Sequence, residues 1–481
     1  MLIMQKNTLR QFSKAGLKLM ALGIQFLSCS YQFETGGVYV SSVEGDDANS
    51  GKDNTTPLKT IEAALAKSDT IFLKRGEIFY TKDIVLNGKY CSSYGKGEHP
   101  IICGYKRIVQ PNWEKVEGKI WRLNLTDDNF TGGVVHGSDL SNNIGCLHEY
   151  DKDSIHGHKV RYYLELKENW DLWQTEKVGR KISPKEFDLL YLYYDGNPNN
   201  LKLELSSGCA AVLMERSTID GIDFVGYGFG ISAGTESIIR NCRIDAMGGM
   251  IQLRDDCFCV FGNGIEFYIS KDIENCLVEN CKISRCYDCG VTIQASNYKQ
   301  SSPRNIIVRR NLIDRCCQGW EDFLRNDSNV VYENCVFENN IVTNSGNTSG
   351  FGYPSNRFKY CHVLGNNFKG NKGMIIHNNT FVDGNYYCSG AYKGEYKSNI
   401  WQGNKCVIKR GDYILGNYMG TKDVIRIPKD KGEFASLSEA TDDAIKRYRK
   451  LTGDETTKFI IKDEIAIKRQ IKKLKKSFNR R

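Results

Sequence analysis

Leu277-Val278-Glu279-Asn280-Cys281-Lys282-Ile283 is a short apolar strand, an Asn, and a second short apolar strand. The same phrase stands at Ile238-Ile239-Arg240-Asn241-Cys242-Arg243-Ile244 and at Val308-Arg309-Arg310-Asn311-Leu312-Ile313. It returns at Val336-Phe337-Glu338-Asn339-Asn340-Ile341 and Ile375-Ile376-His377-Asn378-Asn379-Thr380-Phe381, and Ser398-Asn399-Ile400-Trp401 closes the series. Aligned on one Asn each (241, 280, 311, 340, 379 and 399), the phrases recur at irregular steps, the shortest of which implies a rung of about twenty residues plus variable loops. Such a rung holds three short strands and is too small for paired helices. Asn tolerates the left-handed backbone of a sharp turn, and stacked Asn side chains can bond along a ladder.

Repeats of this kind bury their apolar faces only by stacking on one another. The expected fold is all-β, a right-handed parallel β-helix with an N-terminal cap, a β-rich insertion and a short helical C-terminal tail. Val38-Tyr39-Val40-Ser41 reads as the first strand, Gly45-Asp46-Asp47-Ala48-Asn49-Ser50-Gly51 as a turn, and Thr60 to Lys67 as a capping helix over the otherwise open first rung. Residues 34–430 are expected to form the solenoid, broken at about 105–208 by an insertion that holds Trp113, Trp121, Trp170 and Trp173. Those rings either stack on sugars or fix the insertion to the solenoid. Residues 431–481 read as a helical cap and basic tail.

The formal charge of +9 is concentrated at the two ends. Residues 1–33 carry Lys6, Arg10, Lys14 and Lys18 and no acid, and residues 459–481 carry nine basic residues against Asp463 and Glu464. The body between them is close to neutral, which argues against a nucleic-acid surface. The four N-terminal cations precede an apolar run, Leu17 to Leu27, too short to span a bilayer with confidence. Residues 1–33 therefore read as an export signal or a lipoprotein anchor. Ser28-Cys29 offers Cys29 for lipid attachment, although Phe26 stands where an aliphatic residue is usual. A secreted or cell-envelope location follows, with membrane association through the N-terminus and the basic tail as an option. A monomer is expected.

Eighteen cysteines would suggest disulfides in an exported chain. Cys242, Cys276, Cys281 and Cys335 each follow an Asn inside a repeat, so they read instead as small apolar fillers of a narrow core. Cys286-x-x-Cys289 with Cys316-Cys317 has no His at zinc-ligand spacing.

A family resemblance joins these patterns. Tyr39-Val40-Ser41, Gly45-Asp46-Asp47, Asn49-Ser50-Gly51 and Pro57-Leu58-Lys59-Thr60-Ile61 resemble the N-terminal signature of bacterial right-handed β-helix proteins of the pectate-lyase-like superfamily. Asp69 to Gly76, Leu190 to Pro198 and Gly262-Asn263-Gly264-Ile265-Glu266-Phe267 are similar to that group as well. Over roughly residues 37–455 the resemblance implies the fold. It leaves the reaction open, because the group includes lyases, glycoside hydrolases, epimerases and members without known activity.

Candidate chemistry lies on the third strand of each rung, aligned on its Gly. Gly230-Ile231-Ser232, Gly264-Ile265-Glu266-Phe267-Tyr268, Gly290-Val291-Thr292-Ile293-Gln294 and Gly319-Trp320-Glu321-Asp322-Phe323 stack in that order. Strand side chains alternate. With Ile265, Val291 and Trp320 inward, Ser232, Glu266, Thr292 and Glu321 share one outward column, and Tyr268 and Gln294 a second. Glu266 and Glu321 are then two rungs, about 9.6 Å, apart along the backbone, close to the about 6.5–9.5 Å between the carboxyl groups of inverting glycosidases. Asp322 could replace Glu321 if the strand bulges, and Asp288 enters from the adjoining turn. Tyr268, Thr292, Gln294, Arg254 and Arg325 are candidate substrate-binding residues. Carboxylates on a solenoid are commonly solvated decoration; the shared column is what raises these.

The expected function is cleavage of glycosidic bonds in polysaccharide or oligosaccharide. One alternative is a polysaccharide lyase that neutralises a uronate with calcium, held by Asp255 and Asp256, or with Arg254 or Arg325. No lysine stands clearly as its base. The other alternative is a non-catalytic glycan-binding or cell-surface protein.

Overall fold

The computed structural model describes residues 36–126, 130–132, 142–177, 182–250, 261–268, 273–295, 303–324 and 331–346, and short strands between 351 and 426. The expected export signal, Cys29 and the helical tail lie outside these residues.

The chain winds as a right-handed parallel β-helix with three parallel sheets. One rung shows the plan. Glu274–Glu279 lies in the first sheet, Lys282–Ser284 in the second and Cys289–Ala295 in the third; the chain then re-enters the first sheet at Arg304–Arg309. Each strand pairs in parallel with its counterpart one rung on, as in Leu277↔Ile307, Ile283↔Ile313 and Val291↔Trp320. Backbone hydrogen bonds therefore run along the solenoid axis, and the inward side chains form a continuous core. Val212, Ile231, Ile265, Val291 and Trp320 make one such inward row, all buried.

The first rung is closed as expected. Helix Ile61–Lys67 buries Ile61 and Ala64 against it, and the Thr60 hydroxyl accepts from the Ala63 N–H at 3.1 Å. That bond satisfies one of the amides left free at a helix start.

The single Asn column of the sequence divides in two. Asn241, Asn280, Arg310 and Asn339 occupy the left-handed turn between the first and second sheets, with φ of 54–57°. One position further on stand Ile222, Cys242, Cys281, Asn311, Asn340 and Asn379. The last three form the true ladder. Asn311 N and Nδ2 each donate to Asn340 Oδ1 at 3.0 Å. Asn340 N and Nδ2 donate to Asn379 Oδ1 at 2.9 and 3.1 Å. Asn suits both positions for different reasons, the first for its backbone and the second for its amide, so aligning on Asn alone merges two rows.

The ladder changes chemistry where Cys replaces Asn. Cys242 and Cys281 fill the inner position of successive rungs, and the twelve cysteines among the described residues are free thiols, nearly all buried. Burial pushes Cys276 up to about 12 and Cys91 likewise, so these thiols behave as apolar fillers.

Residues 106–205 contribute a separate, mainly antiparallel sheet with its own core of Trp113, Leu123, Leu147, Leu172, Leu190 and Leu192. Its tryptophan rings engage protein rings. Trp170 stacks on His156 at 3.9 Å and 7°, and Trp173 meets Tyr163 and Tyr191 edge-on. The sheet sits hard against the solenoid: a Cβ on Gly145 would fall 2.0 Å from the Gly249 oxygen. Lys159 lies over the ring of Tyr287 at 5.1 Å, and Tyr287 directly precedes Asp288.

Candidate active site

Local sterics bring the acidic residues together. The strands of the third sheet enter through glycines because the chain there passes over the inward residues of the second sheet. A Cβ on Gly264 would lie 2.6 Å from Ile283 Cγ2, and one on Gly290 2.5 Å from Ile313 Cγ2. With the entry fixed, alternation sets the rest. The register runs Ser232↔Glu266↔Thr292↔Glu321, and beside it Tyr268↔Gln294. Glu266 and Glu321 thus stand on one outward row with Thr292 between them.

The row is covered rather than open. Glu266 is 4% exposed, Glu321 5%, Asp288 8% and Thr292 fully buried. A buried carboxylate needs hydrogen bonds or it takes up a proton. Glu321 Oε2 accepts from Thr292 Oγ1 and from Gln294 Nε2, each at 3.0 Å. Glu266 Oε2 accepts from Asn263 Nδ2 at 3.0 Å, and Asn263 is itself held by the Cys289 N–H donating to its Oδ1 at 3.2 Å.

Burial and neighbouring charge raise the proton affinity of Glu321 and Asp288. Burial, with the charges of Glu266 and Asp322, pushes Glu321 up to about 7 against the opposing hydrogen bonds from Thr292 and Gln294. Asp288 is pushed well above the usual carboxylate range by burial first, then by Glu321 and Glu266. Glu321 and Asp288 therefore each hold a proton more tightly than an exposed carboxyl does.

Asp322 belongs to another environment. The register of Cys289–Ala295 against Gln318–Leu324 is unbroken, so no bulge rotates Asp322 outward. It lies in the inward row opposite Ile293, 1% exposed, and the Tyr332 hydroxyl donates to its Oδ1 at 2.6 Å. Its Oδ2 has no hydrogen-bond partner, and burial pushes the group up to about 7. Asp322 therefore does not stand in for Glu321 as an outward acid.

Tyr268 is half-buried beside Gln294. Arg254, Asp255, Asp256 and Arg325 lie outside the described residues. Among the described residues no three His, Cys, Asp or Glu side chains converge to hold a metal ion. Two contributors escape sequence reasoning. Asn263, noted in the sequence only as part of a run similar to the β-helix group, is fully buried and orients Glu266. Tyr332 has no sequence signal linking it to Asp322.

The chain matches no family model and no curated protein. Among solved structures it is similar to a protein titled "Glycoside hydrolase", at 10% identity over 76% of this chain and 96% of that one, TM-score 0.41. It is also similar to XylC in complex with xylose, at 13% identity over 81% and 73%, TM-score 0.38. A third is the GH136 lacto-N-biosidase from Eubacterium ramulus, at 14% identity over 76% and 67%, TM-score 0.32. At these identities and scores the likenesses concern the path of the chain alone.

Proposed function

We propose that this protein cleaves glycosidic bonds in a polysaccharide or oligosaccharide, with Glu321 as general acid and Glu266 as general base. The observation that carries this is the shared outward row, with the two carboxyl groups two rungs apart and each oriented by its own hydrogen bonds. Two rungs separate their backbones by about 9.6 Å, which leaves room for a sugar ring and a water on opposite sides of the bond. Glu321, raised to about 7, retains a proton to give to the leaving oxygen. Its Oε2 is occupied by Thr292 and Gln294, which leaves Oε1 for that proton. Glu266, fixed by Asn263, takes a proton from the attacking water. Tyr268 and Gln294, both half-buried, border the sugar, and the fully buried Thr292 holds Glu321 from beneath.

We place the protein outside the cytoplasm or on the cell envelope, on the strength of the charged and apolar pattern of residues 1–33. Among the described residues no helix is long and apolar enough to cross a membrane.

The test is reducing-end release by the full chain and by Glu266→Gln over a panel of polysaccharides. Release by the wild type that falls by two orders of magnitude or more in the variant supports the assignment. Wild-type release in Glu266→Gln removes Glu266 from the mechanism. Absorbance from an unsaturated uronate product would instead identify a lyase, and saturable binding without turnover a glycan-binding protein.

A further inference from the structure

Strand Ser154–Lys159 of the insertion alternates: Ile155, Gly157 and Lys159 are buried, and His156 and His158 stay half-exposed. Ile155 joins Cys146, Tyr105, Ala246 and Tyr287 in one cluster that spans insertion and solenoid. Lys159 extends the same row, so alternation carries an amine to a place that suits an apolar side chain. It is 4% exposed, and its Nζ lies over the face of the Tyr287 ring. Among the described residues that nitrogen has no hydrogen-bond partner. Lys106, also buried in the insertion, differs: its Nζ donates to Asn142 Oδ1 at 2.6 Å.

An ammonium brings three donors, and three unanswered donors out of reach of water are costly. The ring face offsets only part of that cost. The titratable groups facing the amine are Tyr287 from the solenoid and Cys146 from the neighbouring segment of the insertion. Burial pushes the Cys146 thiol up to about 11, so it supplies no negative charge near neutral pH. Arg285 and Asp245, the next charges in the seam, are paired with each other and, through Arg285, with Asp153. We propose that Lys159 is a proton-operated latch: the insertion docks on the solenoid with this amine uncharged, and uptake of a proton from solvent releases it from Tyr287. The latch backs the candidate active site. A Cβ on Gly262 would stand 2.9 Å from the Tyr287 Cβ, and Gly262 directly precedes Asn263, which orients Glu266. The latch operates whatever chemistry the acids perform.

The sign of the pH dependence follows. Burial pulls the docked amine down to about 7 from its ordinary 10.5. Between these values the released form holds a proton that the docked form lacks. Docking is therefore firm above the window and weakens as pH falls through it, with no further change from this group below about pH 7.

Site-resolved alkylation of Cys146 by iodoacetamide on the full chain tests this, because that thiol is fully buried in the seam. Its rate in the native chain divided by its rate in the urea-unfolded chain gives the fraction released. In the wild type this quotient should fall about tenfold from pH 7 to pH 8.5. In Lys159→Met, which keeps the bulk and removes the amine, it should stay within about threefold. Cys281, buried in the solenoid core, should react about tenfold more slowly than Cys146 at about pH 7, or slower still, which marks release of the insertion rather than unfolding of the chain. A wild-type quotient that is flat or rises with pH overturns the latch. So does an equal fall in Lys159→Met, or equal rates at Cys146 and Cys281. The wild-type series is decisive by itself if Lys159→Met fails to fold.

Discussion

The Thr292 hydroxyl donates a hydrogen bond to Glu321 on the next rung, at 3.0 Å, while the backbone of Thr292 pairs with Glu266 on its other side. One residue thus spans the gap between two acids that are 55 positions apart in the chain.

Replacing Glu321 by Gln keeps the shape and the side-chain donors but removes the transferable proton. Turnover on any substrate the wild type cleaves is expected to fall by about 10²–10⁴-fold, with far-ultraviolet circular dichroism unchanged. Rates within threefold of wild type would exclude Glu321 as the acid.

Thr292→Val removes a hydrogen bond that favours the ionised form of Glu321. Glu321 then holds its proton more tightly, and the alkaline limb of the pH–rate profile moves to higher pH. A limb that moves to lower pH or stays in place would show that Glu321 does not control it.

Glu321 and Asp322 are both pushed up to about 7 in the folded chain, above the ordinary carboxylate values of 4.5 and 3.8. Between about pH 4 and pH 7 the folded chain keeps protons that the unfolded chain has released. Stability is therefore fully present at the acid end of this window and declines as pH rises to about 7. Denaturant midpoints measured from pH 5 to pH 8 should fall, and Asp322→Asn should make the fall shallower. An equal slope in the variant would mean that Asp322 is ionised throughout.

Asn340→Leu removes the acceptor of two Asn311 donors and the donor to Val308 O at 3.0 Å. The buried groups left behind should cost about 2–4 kcal/mol, read as a lowered denaturant midpoint. Asn344→Ala, at the neighbouring turn on a partly exposed side chain, should cost much less.

Much of the fold is legible because its two governing rules are local. Alternation assigns Ile265, Val291 and Trp320 to the core and Glu266, Thr292 and Glu321 to the other face, and the pairing agrees residue for residue. The glycine column is legible as an alignment mark; its cause, the approach to Ile283 and Ile313, is a contact between sheets that no strand pattern reveals. The split of the Asn column is illegible for a similar reason, since Asn fits a left-handed turn and an amide ladder equally well. The acids themselves are identifiable by position, but their burial depends on what lies over them, and that is tertiary. Asp322 shows the remaining ambiguity. Only the absence of a register shift decides which face it takes.

Asp245 and Ser284 pair in register, and so do Ile265 and Val291, although the first rung takes a path nearly three times as long from the one to the other. The screw keeps its pitch whatever length of chain is looped out between strands. Residues can therefore be added to or removed from that connection without altering the register that sets Glu266 and Glu321 two rungs apart.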